Sequence, residues 1–553
     1  MSNVETRLVS SLAKIFHNED VSSHPKFKSA SVLRGERFSF QLAYKFAKDW
    51  GGEISVDVES PLKKNIFLRR VEPTPVKHAS YFFDDDVLSK EPGLFPDVLY
   101  DCNGKNFRIA PNQWRTIWVT VDIPKNCKPG KYEITPLIVK QNPDGEVTVG
   151  RETFTLEVLD AVLPEQELIV THWFHADCIA VQYNVPVFSE EHWALLDKYF
   201  KSFAEHGSNM LLTPVFTPPL DTAVGGERPT TQLIKVKVEK GGKYKFDFTQ
   251  LDRWIKLAKK HGIKYFEISH LFTQWGAQFC PKIVADVNGV EKRIFGWDVA
   301  SDSKKYAGFL NAFLPELVKF LKKRKMQDCT YFHCSDEPHI DHMEMYKKAV
   351  TLLRKHTEGF KICDALSNIE FYKSGLVSTP IPAEDHIEPF VEAGVKPLWT
   401  YYCCGQVNQV SNRFLYMPSS RNRILGYLLY RYDIAGFLQW GFNFWYSVHS
   451  LYPVDVFNDP SSDYTFPAGD GFMVYPGKDG NPVESIHSEV FFEGIQDLRA
   501  LRLLENLIGR EKIVAMLDKL SPDGRMTMKA YPRGEETMLK LRKKINDLIK
   551  KNI

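Results

Sequence analysis

Asp328-Cys329-Thr330-Tyr331-Phe332-His333-Cys334-Ser335-Asp336-Glu337-Pro338 is an apolar and aromatic run that ends in two adjacent carboxylates and a proline. Two carboxylates held at one spot can divide acid and base work, one stabilising developing charge while the other gives and takes a proton. The run reads as a buried strand that delivers Asp336 and Glu337 to its carboxyl-terminal end. Pro338 has a fixed φ and no N–H, so it fits the first helical position, and residues 339–350 carry apolar side chains at roughly helical spacing. In parallel α/β folds that edge is where active sites are built, because the loops there vary above a rigid sheet. More plainly, Asp336 can cap the helix and Glu337 can be a favourable first-turn charge. The surrounding chain decides between these roles.

The elements that must position the pair alternate from about residue 166 onward. Strands are expected at 168–174, 209–214, 264–270, 328–337, 361–365, 376–380, 397–403 and 436–441. Helices are expected between them, among them 190 to a Gly207 stop, 248 to a Gly262 stop, 303–324 and 419–432. Eight such units imply a (β/α)8 TIM-type barrel over 166–480, with its active site at the carboxyl ends of the strands. Before it, residues 29–33, 37–44, 114–121, 132–139 and 153–159 alternate with period two. Turn signals such as Lys128-Pro129-Gly130-Lys131 and Asn142-Pro143-Asp144-Gly145 separate them, which implies an antiparallel β-sandwich over 1–165. Helical patterns at 488–509, 511–520 and 536–550 imply a carboxyl-terminal helical segment, 481–553, packed on the barrel.

Composition excludes several partners. The 553 residues suit two domains, and Lys+Arg 71 against Asp+Glu 69 leaves a net charge of +2, so nucleic acid is not an expected partner. No stretch of about 18 apolar residues occurs and the first nine residues lack a secretory apolar run, so membrane insertion is not expected and a cytoplasmic protein is the default. The nine cysteines form no disulfide framework, and Cys403-Cys404 are too close for ordinary bridging. His172/His175 and His339/His342 are spaced for a shared metal, but no carboxylate or cysteine pattern completes a site, so neither a metal nor another cofactor is expected.

In that register the strand ends collect His175 and Asp177 from the first unit, Gln274 and Trp275 from the third, and Asp336 and Glu337 from the fourth. They also collect Asn368 from the fifth, Tyr401 and Tyr402 from the seventh, and Trp440, Asn443, Trp445 and Tyr446 from the eighth. Carboxylates, amides, hydroxyls and indoles converging on one mouth suit a sugar, which offers hydroxyls at its edges and C–H faces for stacking. Singly, each Trp or Tyr is as readily a plug of the barrel as a ligand contact, and Asp177 as readily a helix cap. Most glycosidases set two carboxylates from different strands across the bond. Adjacent carboxylates instead reach two nearby points on one substrate. That suits substrate assistance, in which a 2-acetamido oxygen attacks its own anomeric carbon, one carboxylate orients the amide and its neighbour protonates the leaving oxygen. Two alternatives stay open: a two-carboxylate glycosidase with Glu337 as acid and Glu267 or Asp364 as nucleophile or base, and a sugar-binding protein without turnover.

Several runs together resemble glycoside hydrolase family 123. They are Ser335-Asp336-Glu337-Pro338, Trp173-Phe174-His175 with Asp177, Trp399-Thr400-Tyr401-Tyr402-Cys403-Cys404-Gly405, and Gly436-Phe437-Leu438-Gln439-Trp440 with Asn443 and Trp445. Ser485-Ile486-His487-Ser488-Glu489 with Glu493-Gly494-Ile495-Gln496-Asp497 completes the set, so the resemblance spans nearly the whole chain. It implies a β-sandwich followed by a (β/α)8 barrel, and exo-cleavage, with retention, of terminal β-linked N-acetylgalactosamine from glycosphingolipid-type glycans. It also implies that Asp336 orients the acetamido group, that Glu337 is general acid and then base, and that Tyr401 or Tyr402 donates to the acetamido oxygen.

Overall fold

The computed structural model describes residues 4–48, 50–143 and 145–553. Asp144 of the expected turn and Met1-Ser2-Asn3 lie outside the described residues. The amino-terminal part is two facing sheets. In the first, Val4–Ser10, Arg37–Phe46, Arg115–Asp122, Ile66–Val76 and Gly93–Asp101 lie side by side and antiparallel. In the second, Gly130–Asn142 pairs antiparallel with Glu53–Glu59, Gly145–Arg151 and Phe154–Val162. One pair departs from the expected antiparallel pattern: Phe154–Val162 runs parallel to Ser29–Arg34. That arrangement needs a long connection, and more than a hundred residues supply it. Inward-facing side chains of the two sheets make the core, with the Phe40 and Phe154 rings stacked at 4.4 Å.

The first sheet continues past the linker. Pro482–Ser485 pairs with Gly93–Asp101 through Glu484↔Leu99 and Ser485↔Val98, and Tyr475–Pro476 adds beyond it. Two strands that follow the barrel in sequence therefore complete a sheet of the sandwich.

Between these come eight parallel strands: Ile169–His172, Met210–Thr213, Tyr265–Ile268, Thr330–Phe332, Lys361–Ala365, Thr379–Ile381, Trp399–Tyr401 and Gly436–Gln439. They hydrogen-bond in the spatial order six, five, four, three, two, one, eight, seven. Strands six and seven meet through an Ala383↔Tyr401 bridge and the Tyr401 N–H to Pro382 carbonyl bond of 3.1 Å, so the sheet is nearly a closed barrel. Long helices cover one side: Glu190–Glu205 and Thr249–Lys260 end before Gly207 and Gly262, both in the left-handed conformation that glycine enters without a Cβ clash. Lys304–Lys323 and Met343–Arg354 follow strands three and four. The covering is uneven: the helices after strands five and six, Glu370–Lys373 and Glu388–Glu392, have four and five residues.

Ile486–Ile508 is buried along most of its length and crosses Leu425–Arg431 so closely that a Cβ on Gly426 would lie 1.8 Å from the Gly494 carbonyl oxygen. The last helix, Glu535–Asn552, buries Met538, Leu541, Ile545 and Ile549, spaced three and four apart. It lies against Ile486–Ile508 and also against the sandwich, where the Asn546 amide donates to the Ser31 carbonyl at 2.7 Å. No helix among the described residues is long and apolar enough to cross a membrane.

Candidate active site

The fourth strand stops at Phe332, and buried His333, Cys334 and Ser335 carry the chain to Asp336. Asp336 and Glu337 thus stand on a loop beyond the strand rather than on it. Nor does Pro338 open a helix: Glu337 has φ +42, which no helix accommodates, and the next turn is a 3-10 segment, Ile340–His342, before helix Met343–Arg354. The cap of that turn is His339, so neither carboxylate is spent on capping. Three bonds pin the loop between its neighbours. The Trp275 N–H donates to the Asp336 carbonyl at 2.8 Å, the Glu337 N–H to the Ala365 carbonyl at 3.0 Å, and the Ser335 hydroxyl to the Thr273 carbonyl at 2.8 Å. A left-handed glutamate held this firmly is backbone strain of the kind that collects at functional sites.

Below the pair lies a buried charge network built from consecutive strands. Glu267 of strand three accepts bonds from the Trp173 indole at 2.8 Å and the Thr171 hydroxyl at 2.8 Å, and also meets His333 Nε2. His333 Nδ1 donates to Asp364 of strand five at 2.9 Å, and Asp364 also accepts from the Cys334 N–H at 3.0 Å and from the Tyr346 hydroxyl. Burial opposes a charge on His333, but Cys363, Glu267 and Asp364 outweigh it and raise its pKa well above the usual histidine range. Glu267 and Asp364 are 0% exposed. They cannot reach a substrate, which removes the two-carboxylate arrangement that relied on them. His270 stacks on His333 at 4.3 Å, and it could share a metal with His333 and Asp364 by proximity. Both nitrogens of His333 already face carboxylates, and the His270 and His333 rings lie 26° from parallel.

Above the network opens a cavity lined by Trp173, Leu220, Asp221, Gln274, Trp275, Asp336, Glu337, Tyr401, Cys403, Cys404, Trp440 and Phe466. Asp336 is half-buried and Glu337 exposed. Desolvation first, then the charge of Glu337, raises the Asp336 pKa well above the carboxylate range. The Tyr401 hydroxyl donates to Glu337 Oε1 at 2.6 Å. Burial, and then the Glu337 charge, raises its own pKa well above the phenol range, so it remains a donor. Trp440 is fixed by its indole N–H, which donates to Asp470 Oδ2 at 2.9 Å. Trp275, 40% exposed, stands at the rim edge-on to His449.

Other residues expected at the mouth are placed elsewhere. Tyr402 points outward, its ring 4.9 Å from Phe437, because adjacent residues of a strand face opposite sides. Trp445 is 2% exposed in the outer core against Tyr199, with its indole N–H donating to the Val474 carbonyl. Asn443 braces a turn: its side chain accepts from the His175 N–H at 2.9 Å and donates to the His175 carbonyl at 3.0 Å. Asn368 accepts the Glu370 N–H at 2.9 Å and lines a separate recess that also touches Glu337 and Tyr401. His175 and Asp177 are buried around Arg228 and do not line the cavity. Arg228 makes two 2.9 Å bonds to Asp177, and its Nη2 donates to His175 Nδ1 at 3.1 Å. Burial, reinforced by the Arg228 charge, drops the His175 pKa to about 3, so its imidazole is neutral and Nε2 donates to the Trp440 carbonyl. His172 bonds Ser208, and it shares no centre with His175.

A model of the glycoside hydrolase 123 catalytic domain matches residues 173–504, and one of the glycoside hydrolase 123 N-terminal domain matches residues 83–140. The chain belongs to glycoside hydrolase family 123. Its fold is that of a family 123 glycoside hydrolase from Clostridium perfringens, solved in a study of glycolipid glycan hydrolysis. The two share 18% identity and a TM-score of 0.75 over 99% of each chain. A family 5 mannosidase from Rhizomucor miehei matches over 68% of this chain and 99% of its own at 12% identity, with a TM-score of 0.31. No curated protein sequence matches the chain.

Two further pairs of residues build the cavity. Trp173 and Asp221 line the cavity directly, while Arg228 and Asp470 hold its walls. Trp173 stood in a motif run already noted. Asp221 and Arg228 lie in the irregular segment after strand two, where no periodicity marks them.

Proposed function

We propose that the protein is a retaining exo-glycosidase that releases terminal β-linked N-acetylgalactosamine from glycans such as glycosphingolipid oligosaccharides, by substrate assistance through an oxazoline intermediate. The observation that carries this is that two chain-adjacent carboxylates open into one small cavity, while Glu267 and Asp364 are sealed beneath it. In the free protein the Tyr401 hydroxyl bonds Glu337, and burial together with the Glu337 charge favours the protonated form of Asp336. A bound acetamido group reverses that placement. Its oxygen takes the Tyr401 hydroxyl, and its N–H donates to Asp336, which favours the Asp336 carboxylate and moves the proton to Glu337. The acetamido oxygen then attacks the anomeric carbon as the glycosidic bond breaks and Glu337 protonates the departing oxygen. Asp336 holds the N–H of the cationic ring. Glu337, now a base, deprotonates the water that reopens the ring on the face just vacated, so configuration is retained.

The arrangement competing with this one would use Asp221 as a nucleophile, since it lines the same cavity from the irregular segment after strand two. Aryl β-glycosides with and without a 2-acetamido group decide between them. We expect cleavage of the acetamido sugar with retention and at most traces of turnover on the 2-hydroxy sugar. Equal rates on both, or a covalent fluoro-sugar adduct on any carboxylate, would sink the proposal.

A further inference from the structure

Three side chains expected to hold substrate instead brace the segment around Asp221, two of them through Arg228. Arg228, gripped by His175 and Asp177, donates through Nη1 to the Leu220 carbonyl at 3.1 Å, and Gln274 accepts the Asp221 N–H at 2.7 Å. The Asp221 carbonyl accepts the Ser450 hydroxyl at 2.7 Å. Every backbone group around Asp221 is thereby fixed, in a left-handed conformation with φ +39. Its carboxylate oxygen Oδ2 is nevertheless buried with no hydrogen-bond partner, at the wall of the cavity. A buried carboxylate oxygen left without a donor costs free energy unless something else supplies the bond. Burial pushes the pKa of this carboxyl up, against the Arg228 charge and the His449 and Ser450 N–H groups that face it, yet no donor among the described residues bonds Oδ2 itself, which leaves that place to a donor arriving with the ligand.

We infer that Asp221 is a specificity residue that accepts hydrogen bonds from ring hydroxyls of the bound sugar, opposite the acetamido contacts. This rests on the sugar-cleaving function proposed above. The chemistry is that of a carboxylate facing neutral hydroxyl donors: a sugar lacking the hydroxyl, or presenting it in the other configuration, leaves Oδ2 buried and unpaired. Trp275 beside it and Trp440 supply faces, not donors aimed at this oxygen.

The variant to make is Asp221→Asn, because asparagine tolerates the left-handed backbone and the fold is kept. On the aryl N-acetyl-β-galactosaminide, kcat/KM should fall about 10- to 100-fold, the scale of a hydrogen bond to a charged group. Substrates deoxygenated singly at the 3-, 4- and 6-positions locate the contact: on one of them wild type and variant should turn over at the same rate. An unchanged kcat/KM on the parent sugar, or the same fold-loss on all three deoxy sugars, would overturn the assignment. Calorimetric binding of free N-acetylgalactosamine separates this from the hydrolytic reading. Protein that fails to hydrolyse any glycoside yet binds the sugar, and loses that binding in Asp221→Asn, refutes hydrolysis and supports Asp221. Active protein whose variant binds and turns over normally refutes Asp221 alone.

Discussion

Asp336 and Glu337 are neighbours in the chain and opposites in environment, half-buried against exposed, and their division of labour follows from that difference. A low-pKa phenolate leaves without a proton, so Glu337→Gln should cost little on a dinitrophenyl glycoside and orders of magnitude on a natural linkage. Asp336 has no such bypass, because charge develops on the acetamido group whatever departs. Asp336→Asn should therefore lose about 10²–10³ in kcat on both substrates. The pH profile gives a second signature. Glu337 is the nearest like charge holding the Asp336 pKa up, after desolvation. Replacing it by neutral glutamine lowers that pKa, so the acidic limb of kcat/KM on the activated substrate should move to lower pH than in wild type. A limb that stays put, or moves up, would show that Asp336 is not the group titrating there.

The strands and their ends were legible because short buried apolar runs bounded by glycine and proline punctuate the chain from 168 to 441. What each end residue faces was not legible. Strand seven has three residues, and only one position separates Tyr401 in the barrel from Tyr402 in the outer core. Past strand eight the chain is irregular, and the choice between Trp440 and Trp445 depended on Asp470, thirty residues on, which anchors the first indole. His175 and Asp177 turn away from the mouth because their partner Arg228 lies in a segment whose sequence has no periodicity. The two tryptophans now predict different phenotypes. Trp440→Ala should lower kcat/KM roughly tenfold, the scale of an aromatic contact, with little change in thermal midpoint. Trp445→Ala should leave kcat/KM of the folded fraction near wild type but cost about 3–5 kcal/mol of stability through the cavity it opens. Kinetics and thermal melts on both proteins check this, and reversed phenotypes would mean that the cavity has been misread.

At the scale of the molecule, the sandwich and the barrel are joined by more than a linker. Strand Pro482–Ser485 completes a sandwich sheet, and the helix that follows it carries buried charges whose partners come from the sandwich. Arg69 reaches Glu489 at 2.7 Å. Arg542 bridges Glu36 and Asp497, and Asp497 in turn binds Arg423. At the centre of this junction is Asp97, 0% exposed on a sandwich strand, which accepts from the Tyr475 hydroxyl at 2.6 Å and from His487 Nδ1 at 2.9 Å. Desolvation would raise its pKa, but the His487 charge and its bond, followed by Lys14, outweigh burial and hold it below the usual carboxylate value. Lys14 itself, whose ammonium is spent on the Leu415 and Met417 carbonyls, is pushed down to about 8 mainly by burial, partly offset by Asp97. Asp97→Asn keeps the shape and removes the charge that Lys14 and the His487 ring face, a loss on the order of 3–5 kcal/mol for a buried pair broken on one side. Because the junction belongs to both parts, that loss should lower the midpoint of a single calorimetric transition, with activity disappearing at the same temperature. A first transition confined to the sandwich, with the barrel still turning over an aryl substrate above it, would show instead that the two parts unfold independently and that the shared sheet contributes little to the barrel.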